Sequence, residues 1–490
     1  MKQVHIRLDN SGGLPMSKPV LESVYASGMD FEPDERRMSI LPDGQVELHV
    51  TAEPYMIHAK INLPLYGNIW VTADNEGQGY TGNFVDFITE AARTYIREAN
   101  SRNEDICLAP EAQAHLDAAE EFTHLANRGN NTAENRLYAL SHAIYAAEAA
   151  LLESARKKAY TNPRSDLLLG CNFARFTSPQ ARYAKFFAEA FDFATLPFYP
   201  NRTAPEENRF AYSYVESALQ YLESKNIKAK GHPLWFGHKE VNPAWLFGRS
   251  FEDLQKQAHR IAKNHVETFK GRITVWDAMN EAHDWANCFE LSQPQLIELT
   301  RTCCDALKEA NSEAESIVNI CLPFAEYSAG RYVCYGSLPE HVRSPLSYLK
   351  ALLEAGINFD TVGIQLYFPA RDMVMVNRML HAFAALGKPI HITEMGVNGG
   401  SRGHSGVAGS NWPQLSMSEG SWHNGWGEKT QADWMEYFYT LAASRSEIKA
   451  LTWWDFIEPS FSGNGAFLYE DETPREMYFR LLALKKRIVQ

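Results

Sequence analysis

Residues 273–280 read ITVWDAMN, and Glu281 follows at once. The leading residues are apolar or β-branched, the composition of a buried strand. The run ends on an amide and a carboxylate side by side. A carboxylate buried mid-strand would carry a large desolvation cost, so this polar pair belongs where the strand leaves the core. Seven further runs of the same kind accompany it: DLLLGCNF from residue 166, FDFATLPF from 191, IKAKGHPLWF from 227, IVNICLPF from 317, DTVGIQLYF from 360, PIHITEMGV from 389 and IKALTWWDF from 448. Between them lie segments with helical spacing, such as RFAYSYVESALQYLESK (209–225) and SPLSYLKALLEAG (344–356). Eight strand–helix units between residues 165 and 490 predict an α/β fold, a (β/α)8 TIM barrel. The alternative is an open doubly wound sheet, but no GxGxxG occurs within residues 165–490 to support it.

Upstream of the barrel the pattern changes twice. Residues 1–83 are β-rich: VELHVTAEP and MIHAKINL alternate apolar and polar, and NIWVTADNEG runs from a strand into a turn. They predict a β-sandwich-like N-terminal domain. Residues 84–164 are rich in Ala, Glu and Leu, with helical spacing in LDAAEEFTHLA and LYALSHAIYAAEAALLESARKK. They predict a helical connector, with a loop at NRGNN from Asn127. If the first domain were a carbohydrate-binding module, its platform aromatics would be Tyr55, Tyr66, Trp70 and Tyr80. These show no clear strand spacing, which favours a packing or spacer role.

Composition narrows the function class. A net charge of −13 argues against a nucleic-acid or anionic-membrane partner, because both need basic patches. It suits a neutral substrate. Seven Cys occur without a CxxC pair, so neither a disulfide framework nor a zinc site is expected. The start MKQVHIRLDN has no apolar signal core, and no long apolar run follows. The chain as it stands reads as cytoplasmic, or as a secreted protein whose signal peptide has been removed.

Active-site groups of such a barrel gather at the C-terminal ends of its strands. Glu281 is at the end of the fourth, and Glu394, in PIHITEMGV, is near the end of the seventh. These strands lie across the barrel from one another, so both carboxylates can share one cleft. Two carboxylates about 5 Å apart suit retaining glycoside hydrolysis. One gives a proton to the leaving oxygen while the other attacks the anomeric carbon. Asn280 is positioned to bond the sugar 2-hydroxyl, provided that the strand end flares so that neighbours share a face. The pattern HxxE formed by His391 and Glu394 is not read as a metal site, because residues three apart on a strand face opposite ways.

The stretch HVETFKGRITVWDAMNEA (265–282) resembles the fourth-strand region of glycoside hydrolase family 10, the endo-β-1,4-xylanase family, whose members read close to RYKGKIxxWDVVNEA. ITEMGV resembles the family's ITELDV, GHPLWFGH its GHTLVWH, TWWDFIEPSF its VWGVTDSYSW, and GAFLYEDETPREMYFRLLAL its closing LLFDxxxxPKPAYxAL. Gln431 and Ala432 match the QA opening the helix after the seventh strand. The resemblance runs in order over residues 165–490. It implies a barrel, a retaining mechanism on xylan or xylo-oligosaccharides, and no cofactor. It assigns Glu281 as acid/base and Glu394 as nucleophile, with His232, Asn280 and Gln365 as sugar contacts. By family register Trp453, rather than Trp454, faces the sugar.

The chain also departs from the family. Where the sixth strand would carry a His beside the nucleophile it carries Tyr367, whose hydroxyl can donate to a carboxylate. The second strand reads TLPFYPNR in place of TPENEMKW, which builds a distal sugar site, and the fifth reads NICLPFAEY in place of INDYN. A related β-glycan hydrolase with an altered distal site is therefore a second reading, and a catalytically inactive carbohydrate-binding protein a third. Glu458 reads as a loop carboxylate and His238 as a structural loop His. The segment 397–429, with Trp412, Trp422 and Trp426, reads equally as a lid or sugar platform and as a loop anchored by its Trp side chains.

Overall fold

The computed structural model describes residues 1–34, 37–103, 107–129, 132–283, 286–330, 342–367, 370–400, 420–423 and 425–489. Its N-terminal strands are β1 (Lys2–Arg7), β2 (Tyr25–Gly28), β3 (Met38–Ile40), β4 (Val46–Val50), β5 (Tyr55–Leu63), β6 (Gly67–Ala73) and β7 (Phe84–Asp86). They form two sheets, ordered β3-β4-β1-β7 and β2-β5-β6. Helix α1 (Lys18–Ser23) precedes β2, and α2 (Phe87–Asn103), α3 (Pro110–Asn127) and α4 (Thr132–Thr161) follow β7. Then come β8 (Leu168–Asn172), β9 (Phe193–Pro197), β10 (Lys228–His232), β11 (Val275–Asn280), β12 (Glu315–Ile320), β13 (Thr361–Tyr367), β14 (Ile390–Gly396) and β15 (Ile448–Trp453). These eight close into a barrel in chain order, every neighbour parallel, with β15 joined back to β8. Closure rules out the open doubly wound sheet.

Most barrel strands read as largely apolar runs because helices cover one face and the barrel interior the other. Alternation still decides which residue goes where. On β10, Lys230 and His232 share a face and meet Asp277 of β11. Gly231 lies on the other face, against Trp276. A Cβ on Gly231 would fall 2.1 Å from the indole, so glycine is required for that ring to seat.

Helix α4 ties the two halves of the chain together. Its buried alanines, among them Ala139, Ala143, Ala146, Ala147 and Ala150, let α2 and α3 approach closely. It also packs on the barrel helices Met373–Ala384, Glu428–Ala443 and Glu476–Ile488. The sheet aromatics are spent on packing too. Tyr55, Tyr66, Trp70 and Tyr80 are buried, so these four form no sugar platform and take the packing role that their spacing favours. Trp422 is likewise buried and Trp426 partly so, while Trp412 lies outside the described residues. Among the described residues no helix is long and apolar enough to cross a membrane.

One carboxylate concentrates this packing. Glu148 of α4 is buried and accepts from four donors: the Tyr66 hydroxyl at 3.0 Å, the Met373 backbone N–H at 2.8 Å, Trp422 Nε1 at 2.9 Å and His423 Nε2 at 2.8 Å. Truncating it strands buried donors, each costing about 1–3 kcal/mol. We expect Glu148→Ala to lower unfolding stability in urea by about 3 kcal/mol or more, and Glu148→Gln, which keeps an acceptor, by less. Equal midpoints for the two variants would contradict this account.

Candidate active site

The fourth barrel strand does not end regularly. The β11–β12 register shifts between Asp277 and Met279, and Glu281 has a φ of 54°. The left-handed region costs a residue with a Cβ about 1–2 kcal/mol. Two backbone bonds hold the turn: Asn280 N–H donates to the Trp235 carbonyl and Glu281 N–H to the Asn319 carbonyl, both at 2.9 Å. This is the flare that lets Asn280 and Glu281 serve one cleft. Both are buried, at 2% and 7% exposure.

The seventh strand supplies the second carboxylate. Glu394 pairs in register with Gln365 and is 5% exposed. Its Oε1 accepts from Asn319 Nδ2 at 2.9 Å and its Oε2 from the Tyr367 hydroxyl at 2.9 Å. Gln365 Nε2 donates to Glu281 Oε1 at 2.7 Å. Asn280 Oδ1 accepts from Asn319 Nδ2 at 2.6 Å and from Gln365 Nε2 at 3.4 Å. One lattice of amides thus joins Glu281 to Glu394. Asn319 holds its centre, and its Oδ1 in turn accepts from the Thr393 hydroxyl.

Beneath Glu394 lies a buried charged group. Asp277 Oδ2 is 2.7 Å from Lys230 Nζ and 2.6 Å from His232 Nδ1, and His232 Nε2 is 3.7 Å from Glu394 Oε1. Burial alone would raise the Asp277 carboxyl, but Lys230 and His232 outweigh it and hold it below the ordinary value. For Glu394 burial wins and pushes the carboxyl up, against the opposing pull of His232, Lys230 and the Tyr367 hydroxyl. Burial and the Glu394 charge keep the Tyr367 phenol far above its ordinary range, so it remains a donor. A fourth carboxylate, Asp455, follows β15. Burial is the main force that pushes it up to about 7, with Glu458 and Glu394 adding to it and the Phe461 N–H and Arg175 opposing.

The predicted residues are not all where the sequence reading puts them. Glu281, Glu394, Asn280, His232, Gln365 and Tyr367 come together. Trp453 does not join them: it is fully buried, its Nε1 donates to the Gly465 carbonyl at 2.8 Å, and it packs on Trp434 and Phe467. Its neighbour Trp454 takes the cleft side, half-buried, with its ring edge-on to His232 at 5.3 Å. The β14–β15 register shifts between Ile392 and Met395, which defeats a count along the strand. His391 turns to Glu315, with Nε2 3.6 Å from Oε1, and shares no site with Glu394. Glu458 accepts the backbone N–H groups of Ser460 and Ala466, a loop-building role. His238 accepts from the Glu240 N–H in the turn after β10.

Several residues escaped the sequence reading. Lys230 and Asp277 look solvent-facing until the barrel closes around them. Asn319 pairs in register with Asn280, a repeat of one residue type at one height that comparing strand ends would have flagged. Tyr199, after β9, sets its ring 5.8 Å from His232, and its phenol feels both Glu394 and Glu281.

Comparison with known proteins bears on this site. Residues 174–481 match the profile of Glycosyl hydrolase family 10. The chain is 26% identical over 300 residues to endo-1,4-beta-xylanase B of Thermotoga neapolitana, covering 57% of this chain and 76% of that one. It is 26% identical over 213 residues to endo-1,4-beta-xylanase A of Caldicellulosiruptor saccharolyticus, covering 40% and 56%. Native xylanase 10B from Thermotoga maritima superposes with a TM-score of 0.50 at 20% identity, over 69% of this chain and 98% of that one, a likeness of fold.

The Tyr367 hydrogen bond gives a test. It stabilises the Glu394 anion, so Tyr367→Phe should raise the Glu394 pKa further. With Glu394 required ionised, the acid limb of the kcat/KM profile then moves to higher pH, and activity lost on acidification is lost sooner. Turnover should fall by about 10²-fold, as for other lost donors to a reacting centre. An unmoved limb in the pH–rate profile would contradict the assignment.

Proposed function

The chain belongs to glycosyl hydrolase family 10, and from that premise we propose that it is a retaining endo-β-glycosidase cleaving β-1,4-linked xylan or xylo-oligosaccharides. The observation that carries this reading is the amide lattice joining Glu281 to Glu394 at the rim of β11 and β14. Glu394, backed by Tyr367, Asn319 and His232, attacks the anomeric carbon. Glu281, held by Gln365, gives its proton to the departing glycosidic oxygen. The C–O bond to the leaving group breaks as the Glu394 ester forms. Water then enters, Glu281 takes its proton, and the ester is released with the configuration retained. Asn280 and Asn319 are aligned to bond a sugar hydroxyl beside the reacting carbon, and Trp454 offers it a ring face.

A related β-glycan remains the second reading of the substrate, favoured by one feature. Beside His232 the segment after β9 presents Tyr199, an aromatic ring with a hydroxyl, on the side where distal sugars would bind.

The test is hydrolysis of xylan, arabinoxylan, mixed-linkage glucan, mannan and aryl β-xylosides by the wild type, Glu281→Ala and Glu394→Ala. We expect cleavage of xylan, a loss of about 10²–10⁴-fold in Glu281→Ala, and a loss at least as large in Glu394→Ala. Azide should restore Glu394→Ala with inversion of the product. Wild-type binding without cleavage would instead make this a carbohydrate-binding protein, and cleavage of another polymer would reassign the substrate.

A further inference from the structure

Four consecutive residues after the sixth barrel strand are each held by the N-terminal third of the chain. The Ala370 carbonyl accepts from the Trp70 N–H of β6 at 2.8 Å. Arg371 Nη2 donates to the Tyr25 hydroxyl of β2 at 2.8 Å. Asp372 Oδ2 accepts from the Tyr95 hydroxyl of α2 at 2.6 Å. The Met373 N–H donates to Glu148 of α4 at 2.8 Å. The grip is buried: Arg371 is 1% exposed, pairs with Glu326 at 2.8 Å, and lies over Phe324 with its guanidinium carbon 4.3 Å from the ring centre. β6 is an edge strand of its sheet, and the barrel completes that edge twice, at Ala370 and where Ser421 N–H donates to the Asn68 carbonyl at 2.7 Å.

This anchored run begins three residues beyond Tyr367, the last residue of β13 and the donor to Glu394 Oε2. A hydroxyl that must sit within hydrogen-bond range of one carboxylate oxygen is sensitive to small shifts of its strand end. We propose that the N-terminal sheets and α2–α4 are a positioning element of the active site: by clamping residues 370–373 they hold the Tyr367 hydroxyl on Glu394. Tyr25 and Tyr95 are then positioning residues, acting through Arg371 and Asp372. The N-terminal region is built into the catalytic face and is not a detachable sugar-binding module.

The inference rests on Glu394 as nucleophile. Glu394 is faced by His232 and Lys230 from β10, Asp277 from β11, Tyr367 from β13, Tyr199 after β9 and Asp455 after β15. Tyr25→Phe and Tyr95→Phe remove no charge from that set. In the full-length protein, the double variant Tyr25→Phe/Tyr95→Phe should lose roughly tenfold in kcat with little change in KM. Its acid limb should move to higher pH, as in Tyr367→Phe. In a Tyr367→Phe background the same two changes should have almost no further effect on kcat, because the hydroxyl they position is gone. Tyr478→Phe, on helix Glu476–Ile488, which loses a bond to Glu189, serves as a control for a comparable loss of thermal stability. An unmoved acid limb, or losses that simply add to those of Tyr367→Phe, would overturn the positioning role while an inactive Glu394→Ala left the nucleophile assignment standing. An active Glu394→Ala would overturn both.

Discussion

A carboxylate with a buried lysine and a buried histidine on one oxygen lies at the base of this site. Lys230, Asp277 and His232 are all within the barrel, and a buried charge is tolerable only when it is paired and hydrogen-bonded. Removing any one member would leave the others uncompensated in low dielectric. The group costs free energy compared with a hydrocarbon core, and what it secures is orientation. With Nδ1 engaged by Asp277, the His232 ring has one remaining nitrogen, and that nitrogen is turned towards Glu394. The ring also receives Tyr199 and Trp454 edge-on from two sides. Geometry at the rim is therefore inherited from a charge network one layer down.

The same layer separates the cleft carboxylates from one another. Glu394 is raised by burial but is answered by a cation, a phenol and an amide. Asp455, just after the next strand, is raised by burial first and by two neighbouring carboxylates, against one backbone N–H and the more distant Arg175. Burial thus raises both groups, and what opposes it differs from one to the other. Sequence proximity does not sort them; their partners do.

The fold was legible because most barrel strands are largely apolar on both faces and are followed by a helical period, the pattern of a covered parallel sheet. Glu281 and Glu394 were legible because a carboxylate at the end of such a run has few reasons to be there. Trp453 was misread for a physical reason. Irregularities at Ile390/His391 and Ile392/Met395 shift β15 against β14, so neither counting by two nor a borrowed register says which indole meets the cleft. Lys230 and Asp277 were invisible as a pair because 47 residues separate them and either alone could be a surface charge. The contacts between the N-terminal third and the barrel are harder still. Tyr95 and Asp372 are 277 positions apart, and nothing in either local pattern announces the other.

Those contacts change what the N-terminal third is for. Tyr55, Tyr66, Trp70 and Tyr80 lie in packing, and barrel loops meet the open β6 edge at Ala370 and Ser421, so these four rings are not free for a ligand and the edge is not bare at those points. An edge strand left bare invites pairing with other chains, and covering it with the loops of a second unit removes that hazard while stiffening those loops. Stiffness is useful here because the loops concerned follow β13 and β14, the strands that carry Tyr367 and Glu394. A barrel puts its chemistry on the least constrained part of the fold, the strand-to-helix turns. In this chain the constraint comes from outside the barrel, through donors and acceptors whose partners would otherwise be buried without a bond.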